Sequence, residues 1–202
     1  MLRYLFDPAN AITAFGVILS GVALSLAMDG RIEVAVAVAL WAMLADHLDG
    51  IVARRTRGRS RIVGEMGKSL DGFSDLIYGA VFPCIAVLQL NGVTALSATV
   101  GTMQLLAGAL RLSHFSIVGL SADRSFTGVP LSYDVPLLAM LVLIQPLVNQ
   151  PLFSWLVLSS FTALATLHVS SIRVRAPARP MYIAILLFSI GASAALSIRT
   201  MI

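Results

Sequence analysis

The chain has 202 residues, 58% of them hydrophobic and 12% charged, with a mean hydropathy of +0.90. A soluble domain carries roughly 25% charged residues, so the composition excludes a water-soluble globule and a disordered chain and leaves a polytopic membrane protein. The net charge of +4 bears on membrane orientation, not on nucleic-acid binding, and the single cysteine, Cys84, excludes an intramolecular disulfide and a cysteine-based zinc site.

The N-terminal MLRYLFDPAN carries no signal-peptide cleavage signature. A helix needs about 20 mostly apolar residues to cross the hydrocarbon core. Seven such segments are predicted, at 10–28, 32–53, 69–90, 93–115, 131–148, 151–170 and 180–199. Asp29-Gly30 and Asn91-Gly92 mark turns. The fifth and sixth segments are separated by Asn149-Gln150-Pro151 alone, and a kink there in place of a loop reduces the count to six. There is no internal repeat and no low-complexity linker. The expected fold is therefore all-α: one domain over 1–202, a polytopic integral membrane bundle of six to seven transmembrane helices.

Positive charge orients this bundle. If the loop after the second segment is cytoplasmic, then Arg3, Arg54, Arg55, Arg57, Arg59, Arg61, Lys68, Arg111, Arg124, Arg173, Arg175 and Arg179 share the cytoplasmic side. Arg31 and Arg199 fall outside. The positive-inside rule then places the N-terminus in the cytoplasm, and the basic loops face anionic headgroups.

Asp46 and Asp49 lie near the end of the second segment, Asp71 and Asp75 near the start of the third. A carboxylate within the membrane costs about 2.5–3.5 kcal/mol on the insertion scale. Residues i and i+3 lie about 60° apart around a helix, and i and i+4 about 40° apart. Each pair therefore shares a face, and antiparallel packing brings all four to one depth. Four converging carboxylates repel unless a cation separates them. Hard oxygen ligands suit Mg²⁺ or Mn²⁺. Mg²⁺ favours sites completed by water and substrate phosphate, so phosphoryl-type transfer, with two ions, is the expected chemistry. The plainer alternative is that some of these residues line the water interface.

The two stretches read D-H-L-D-G-I-V-A-R and G-K-S-L-D-G-F-S-D, over Asp46 to Asp75. The pattern resembles the signature of the CDP-alcohol phosphatidyltransferase family, D-x-x-D-G-x-x-A-R…G-x-x-x-D-x-x-x-D, at every fixed position. Twelve residues separate Arg54 from Gly67, more than the family pattern has. The extra length carries Arg55, Arg57, Arg59 and Arg61 and is expected to bulge into the cytoplasm.

The resemblance implies transfer from CDP-diacylglycerol to an alcohol with release of CMP, in the cell membrane, with the active site facing the cytoplasm. It implies metal binding by Asp46, Asp49, Asp71 and Asp75, with Asp75 also the general base. It assigns Asn10, Thr13, Gly50, Ala53, Arg54, Ser60 and Gly67 to the CDP-lipid, and it suggests a homodimer. Tight helix packing is the competing reading of Gly50, Ala53 and Gly67. Helix capping and packing are that of Asn10 and Thr13.

Four further stretches resemble the phosphatidylserine synthase branch: P-A-N-A-I-T-A-F-G, A-L-R-L-S-H-F-S, S-F-T-G-V-P and H-V-S-S-I-R-V. They favour L-serine as acceptor, with Arg111, His114, Arg124 and Thr127 as acceptor-binding residues. The branch commonly has Arg at the position of His114 and Asn at that of Ser116. A phosphorylated polyol, glycerol phosphate or inositol phosphate, is the alternative acceptor. Arg173 is read as an anchor at the membrane surface, and His47 as a packing or interface residue. His168, with no carboxylate near it in sequence, is assigned no role. A cation or proton transporter is the alternative outside enzymes, but the carboxylates cluster at one end and no second cluster continues across. An inactive scaffold is the last alternative.

Overall fold

The structure is a computed structural model that describes residues 1–200. A short 3₁₀ turn, Leu2–Phe6, leads into α1 (Pro8–Met28), which Asp7 caps by accepting from the Asn10 backbone N–H. Then come α2 (Ile32–Arg55), α3 (Arg61–Leu76), α4 (Phe82–Asn91), α5 (Ala95–Val118), α6 (Asp134–Ile144), α7 (Gln150–His168) and α8 (Arg179–Arg199). A π-helical turn, Ile77–Val81, joins α3 and α4 into one run, Arg61–Asn91. With 81% of the chain helical and seven helical runs, the architecture is the expected all-α membrane bundle. Among the described residues, five runs are long and apolar enough to cross a membrane. The apolar run Leu131–Leu147 is shorter. The 24-residue α5 has the length but buries the polar residues Ser97, Gln104 and Arg111.

The predicted break between the fifth and sixth segments is a break in the helix: Asn149 accepts from the Leu152 backbone N–H and starts α7. The third segment differs from expectation. Ser60 caps a helix that begins at Arg61, eight residues before the expected start at 69, because the first turns of α3 are amphipathic and need not enter the apolar core. The loop from α2 is consequently only Thr56–Ser60, with Arg55 still on α2 and Arg61 already on α3. The expected basic bulge is thus a short link, and its Arg59 folds back on Asp7, with Nη2 3.0 Å from Oδ1.

Small residues let α1 and α2 approach closely. Ala23, Ala27, Ala35, Ala39 and Ala42 are fully buried, and Leu40, Met43, Tyr78, Phe82, Phe153 and Phe161 fill the centre. Large apolar side chains such as Phe15, Ile18, Trp155 and Leu187 remain exposed around the outside, as a lipid-facing surface requires. At one end Arg199 donates to the Val142 carbonyl (2.8 Å) and lies 3.6 Å from Glu33, tying α8 to α6 and α2. At the other end the α5–α6 and α7–α8 connections pair as a two-stranded antiparallel ribbon. It consists of β1 (Ser125–Thr127) and β2 (Arg173–Arg175), with Phe126 opposite Val174. This ribbon was not predicted, since two three-residue strands lie below what periodicity detects.

A buried polar cluster secures the ribbon end. Asp134, at the N-terminus of α6, receives a hydrogen bond from Gln104 Nε2, and its Oδ2 lies 3.0 Å from His168 Nε2. His168 Nδ1 lies 2.8 Å from the Val129 carbonyl. Gly128, at φ +75°, runs so close to the end of α7 that a Cβ there would overlap the His168 carbonyl. His168 therefore has a structural role that the sequence did not disclose, since its carboxylate partner is 34 residues away. Breaking a buried pair by removing one partner costs about 3–5 kcal/mol. Asp134→Ala is accordingly expected to lower the melting temperature in detergent clearly, followed by tryptophan fluorescence. An unchanged melt would show that the cluster adds no stability.

Candidate active site

The functional residues gather where α2, α3 and α5 approach the ribbon. Asp46 and Asp49 sit on the last turns of α2, and Asp71 and Asp75 on the facing stretch of α3. One carboxylate oxygen from each of Asp46, Asp49 and Asp71 lies within 4.8 Å of the other two. Asp75 adjoins this trio through Tyr78. Its Oδ1 accepts a 2.7 Å hydrogen bond from the Tyr78 phenol, which also lies 3.0 Å from Asp46 Oδ2. The structure thus brings all four carboxylates to one place.

The donor set suits a hard divalent cation. The carboxylates are oxygen ligands, and Asp46 Oδ1 is buried with no hydrogen-bond partner among the described residues. An orphaned anionic oxygen of this kind is stabilised by a bound cation. Thr13, buried in α1, donates its hydroxyl to Asp49 Oδ2 and so orients that carboxylate.

A cavity of about 480 Å³ opens beside the trio. Asp46, Gly50, Arg54, Asp71, Asp75 and Arg111 line it, so the predicted metal, nucleotide and acceptor residues meet in one space. Gly50 leaves room on this wall: a Cβ there would come to 3.5 Å from Arg54 Nη1. Arg111 is buried, and its guanidinium lies 5.7 Å from the Phe115 ring and 5.6 Å from that of Phe126. The two rings are themselves 5.5 Å apart and tilted by 51°, so the cation sits against one side of an aromatic pair. Its Nε has no hydrogen-bond partner among the described residues. The deeper wall is apolar, with Met140, Ile185 and Phe188.

Other predicted residues occupy different places. Asn10 is buried, and its side chain is fully engaged. It donates to the Tyr4 and Val63 carbonyls and accepts from Arg59 at 2.8 Å. Gly67 packs against this knot, and a Cβ on it would overlap Asn10 Oδ1 and reach 3.0 Å from Arg59 Nη2. Asn10, Arg59 and Gly67 thereby lock the α2–α3 link onto α1. Ser60 caps α3. Ala53 is half-buried and does not line the cavity. His114 is exposed on α5, also off the cavity wall. Arg124 is exposed at φ +59°, and its carbonyl accepts from the Ala176 N–H. Thr127 is exposed on β1, paired with Arg173. Arg173 is exposed too, 3.7 Å from Asp123.

Several cavity residues were missed in the sequence. Tyr78 was legible in principle, three positions after Asp75 and so on its face. Arg175 lines the cavity where the neighbouring ribbon arginine, Arg173, does not. His47 lines the cavity as well, with Nδ1 2.8 Å from the Met43 carbonyl and its ring edge-on to Tyr182.

A carboxylate cluster inside one end of an apolar helical bundle, sharing a cavity with a buried arginine, defines a polytopic membrane protein with a polar site at one end. The profile of the CDP-alcohol phosphatidyltransferase family matches residues 6–172, and the chain belongs to that family. It is 38% identical over 107 residues to an archaetidylserine synthase of Methanothermobacter thermautotrophicus, covering 52% of this chain and 45% of that relative. It is 29% identical over 178 residues to a CDP-diacylglycerol–serine O-phosphatidyltransferase of Helicobacter pylori, covering 84% of this chain and 71% of the relative. The match to the first of these thus spans less than half of that protein's length.

Proposed function

We propose that this protein transfers a phosphatidyl group from CDP-diacylglycerol to the hydroxyl of L-serine, releasing CMP, and that it works with Mg²⁺ or Mn²⁺ at the Asp46–Asp49–Asp71 cluster. The carrying observation is Arg111. It is a buried guanidinium packed against the Phe115–Phe126 pair, on the same cavity as Asp75. Such a fork suits the carboxylate of an amino-acid acceptor. Serine in the names of both relatives supports the same acceptor.

The residues divide the work. Asp46, Asp49 and Asp71 hold the ions, two by the family resemblance, and Thr13 orients Asp49. Bound there, a divalent ion supplies electrostatic stabilisation of charge on the phosphate oxygens. Arg54 pairs with the pyrophosphate as a planar fork, and the apolar wall of Met140, Ile185 and Phe188 accepts lipid. Arg111 positions serine. Its hydroxyl oxygen forms the new bond to phosphorus, the bond from that phosphorus to the departing CMP breaks, and Asp75 takes the hydroxyl proton. Positive-inside charge supports a cytoplasm-facing site in the cell membrane. The family resemblance supports a homodimer, and the chain acts as one domain.

CMP release by the purified protein tests this reading. CDP-diacylglycerol and Mg²⁺ or Mn²⁺ are supplied with serine, glycerol 3-phosphate or inositol phosphate in separate tubes. Serine-dependent release that chelator abolishes is expected. Release with a phosphorylated polyol alone would move the acceptor to that class. Silence in every tube from folded protein would reject the transferase reading.

A further inference from the structure

Tyr78 has no part in the transfer as derived above, yet its phenol touches carboxylates on both sides of the site. The ring is fully buried. Oη lies 2.7 Å from Asp75 Oδ1 and 3.0 Å from Asp46 Oδ2. A phenol carries one hydrogen, so α2 and α3 present two carboxylates to a single donor.

The backbone holds this side chain firmly. Tyr78 lies in the π-helical turn Ile77–Val81, which ends two residues before Pro83. Proline at 83 removes a donor and crowds the carbonyl four residues earlier, at Gly79, and a widened turn relieves both. Such turns recur at functional sites. The next two residues are clamped as well: a Cβ on Gly79 would come to 2.7 Å from Leu131 Cβ, and one on Gly108 to 2.6 Å from Ala80 Cβ. The turn is therefore wedged between α5 and the start of the Leu131–Leu147 run, and the phenol has little room to swing.

We infer that Tyr78 is a positioning residue that bridges Asp46 and Asp75 and fixes the orientation of both. Its hydroxyl holds Asp75 where it meets the acceptor proton. It engages Asp46 through Oδ2 and leaves the buried, unpartnered Oδ1 available as a ligand. The inference rests on the metal-assisted transfer proposed above.

The test compares parent and Tyr78→Phe, full-length and in detergent, by two independent readouts. Mn²⁺ affinity is measured without substrate, from the electron paramagnetic resonance signal of free Mn²⁺. Loss of an outer partner of a metal ligand weakens affinity or activity about 10–100-fold, so Tyr78→Phe is expected to bind Mn²⁺ about tenfold more weakly. At saturating metal, kcat falls about tenfold while the CDP-lipid KM stays within about twofold. A merely structural role would not produce that split. Phenylalanine keeps the buried ring. If that variant does not fold, Tyr78→Met fills the space without a donor and carries the same expectations. Parent-like Mn²⁺ affinity in a folded variant overturns the inference, as does an unchanged kcat. If the parent binds Mn²⁺ but turns over no CDP-lipid, the transfer reading fails on its own, and the Mn²⁺ comparison still decides the role of Tyr78.

Discussion

Asp75→Asn is expected to lower serine-dependent CMP release by about 10²–10⁴-fold, the range for loss of a positioned general base, while CDP-lipid binding stays within about twofold of the parent. The substitution isolates proton acceptance from shape. Asparagine keeps the size of aspartate and an oxygen that can accept from Tyr78 Oη, now 2.7 Å from Asp75 Oδ1. What it loses is the ability to take the acceptor proton. The substitution leaves the carboxylates of Asp46, Asp49 and Asp71 unchanged. The measurement pairs steady-state CMP release with equilibrium binding of a CDP-lipid. Full activity would remove Asp75 from the role of base. Loss of lipid binding in parallel with turnover would make it a nucleotide-site residue.

Arg111→Ala is expected to raise the serine KM by about 10–100-fold, the equivalent of roughly 1.5–3 kcal/mol for hydrogen bonds to a charged group. The CDP-lipid KM should change by less than about twofold. The reason is local. The guanidinium is buried, faces the cavity and sits against Phe115 and Phe126, so a bound carboxylate meets it with little competition from water. Arg111→Lys should not restore affinity, because an ammonium neither forks onto a carboxylate nor packs on the aromatic pair as a planar cation does. Kinetics with each substrate varied in turn separate the outcomes. A rise confined to the CDP-lipid KM would place Arg111 at the nucleotide.

The acidic site was legible in the sequence because helical spacing is strict. Asp46/Asp49 and Asp71/Asp75 each had to share a face, and the structure brings both pairs together. What spacing did not reveal is the side-chain contact by which Tyr78 links Asp75 to Asp46. The acceptor residues divide in the same way. Arg111 lies on a helix whose direction the sequence defined, and it lines the cavity. His114 is on the same helix three positions on, and it is exposed. Arg124 and Thr127 belong to a connection whose path is set by pairing with β2 and by the Asp134–His168–Gln104 cluster. Those contacts join residues tens of positions apart.

By itself the sequence determined the solvent, the helical segments and the shared faces of the carboxylate pairs. Each follows from local quantities: the length of apolar runs against bilayer thickness and the helical repeat. The tertiary structure alone decided which arginine enters the cavity and which stays outside. It also decided how Arg59 closes the α2–α3 link onto Asp7 and Asn10, and how one phenol spans two carboxylates. The physical reason is that hydrogen bonds and close packing act over about 3–4 Å between groups distant in the chain, and only the folded chain brings those groups within that range.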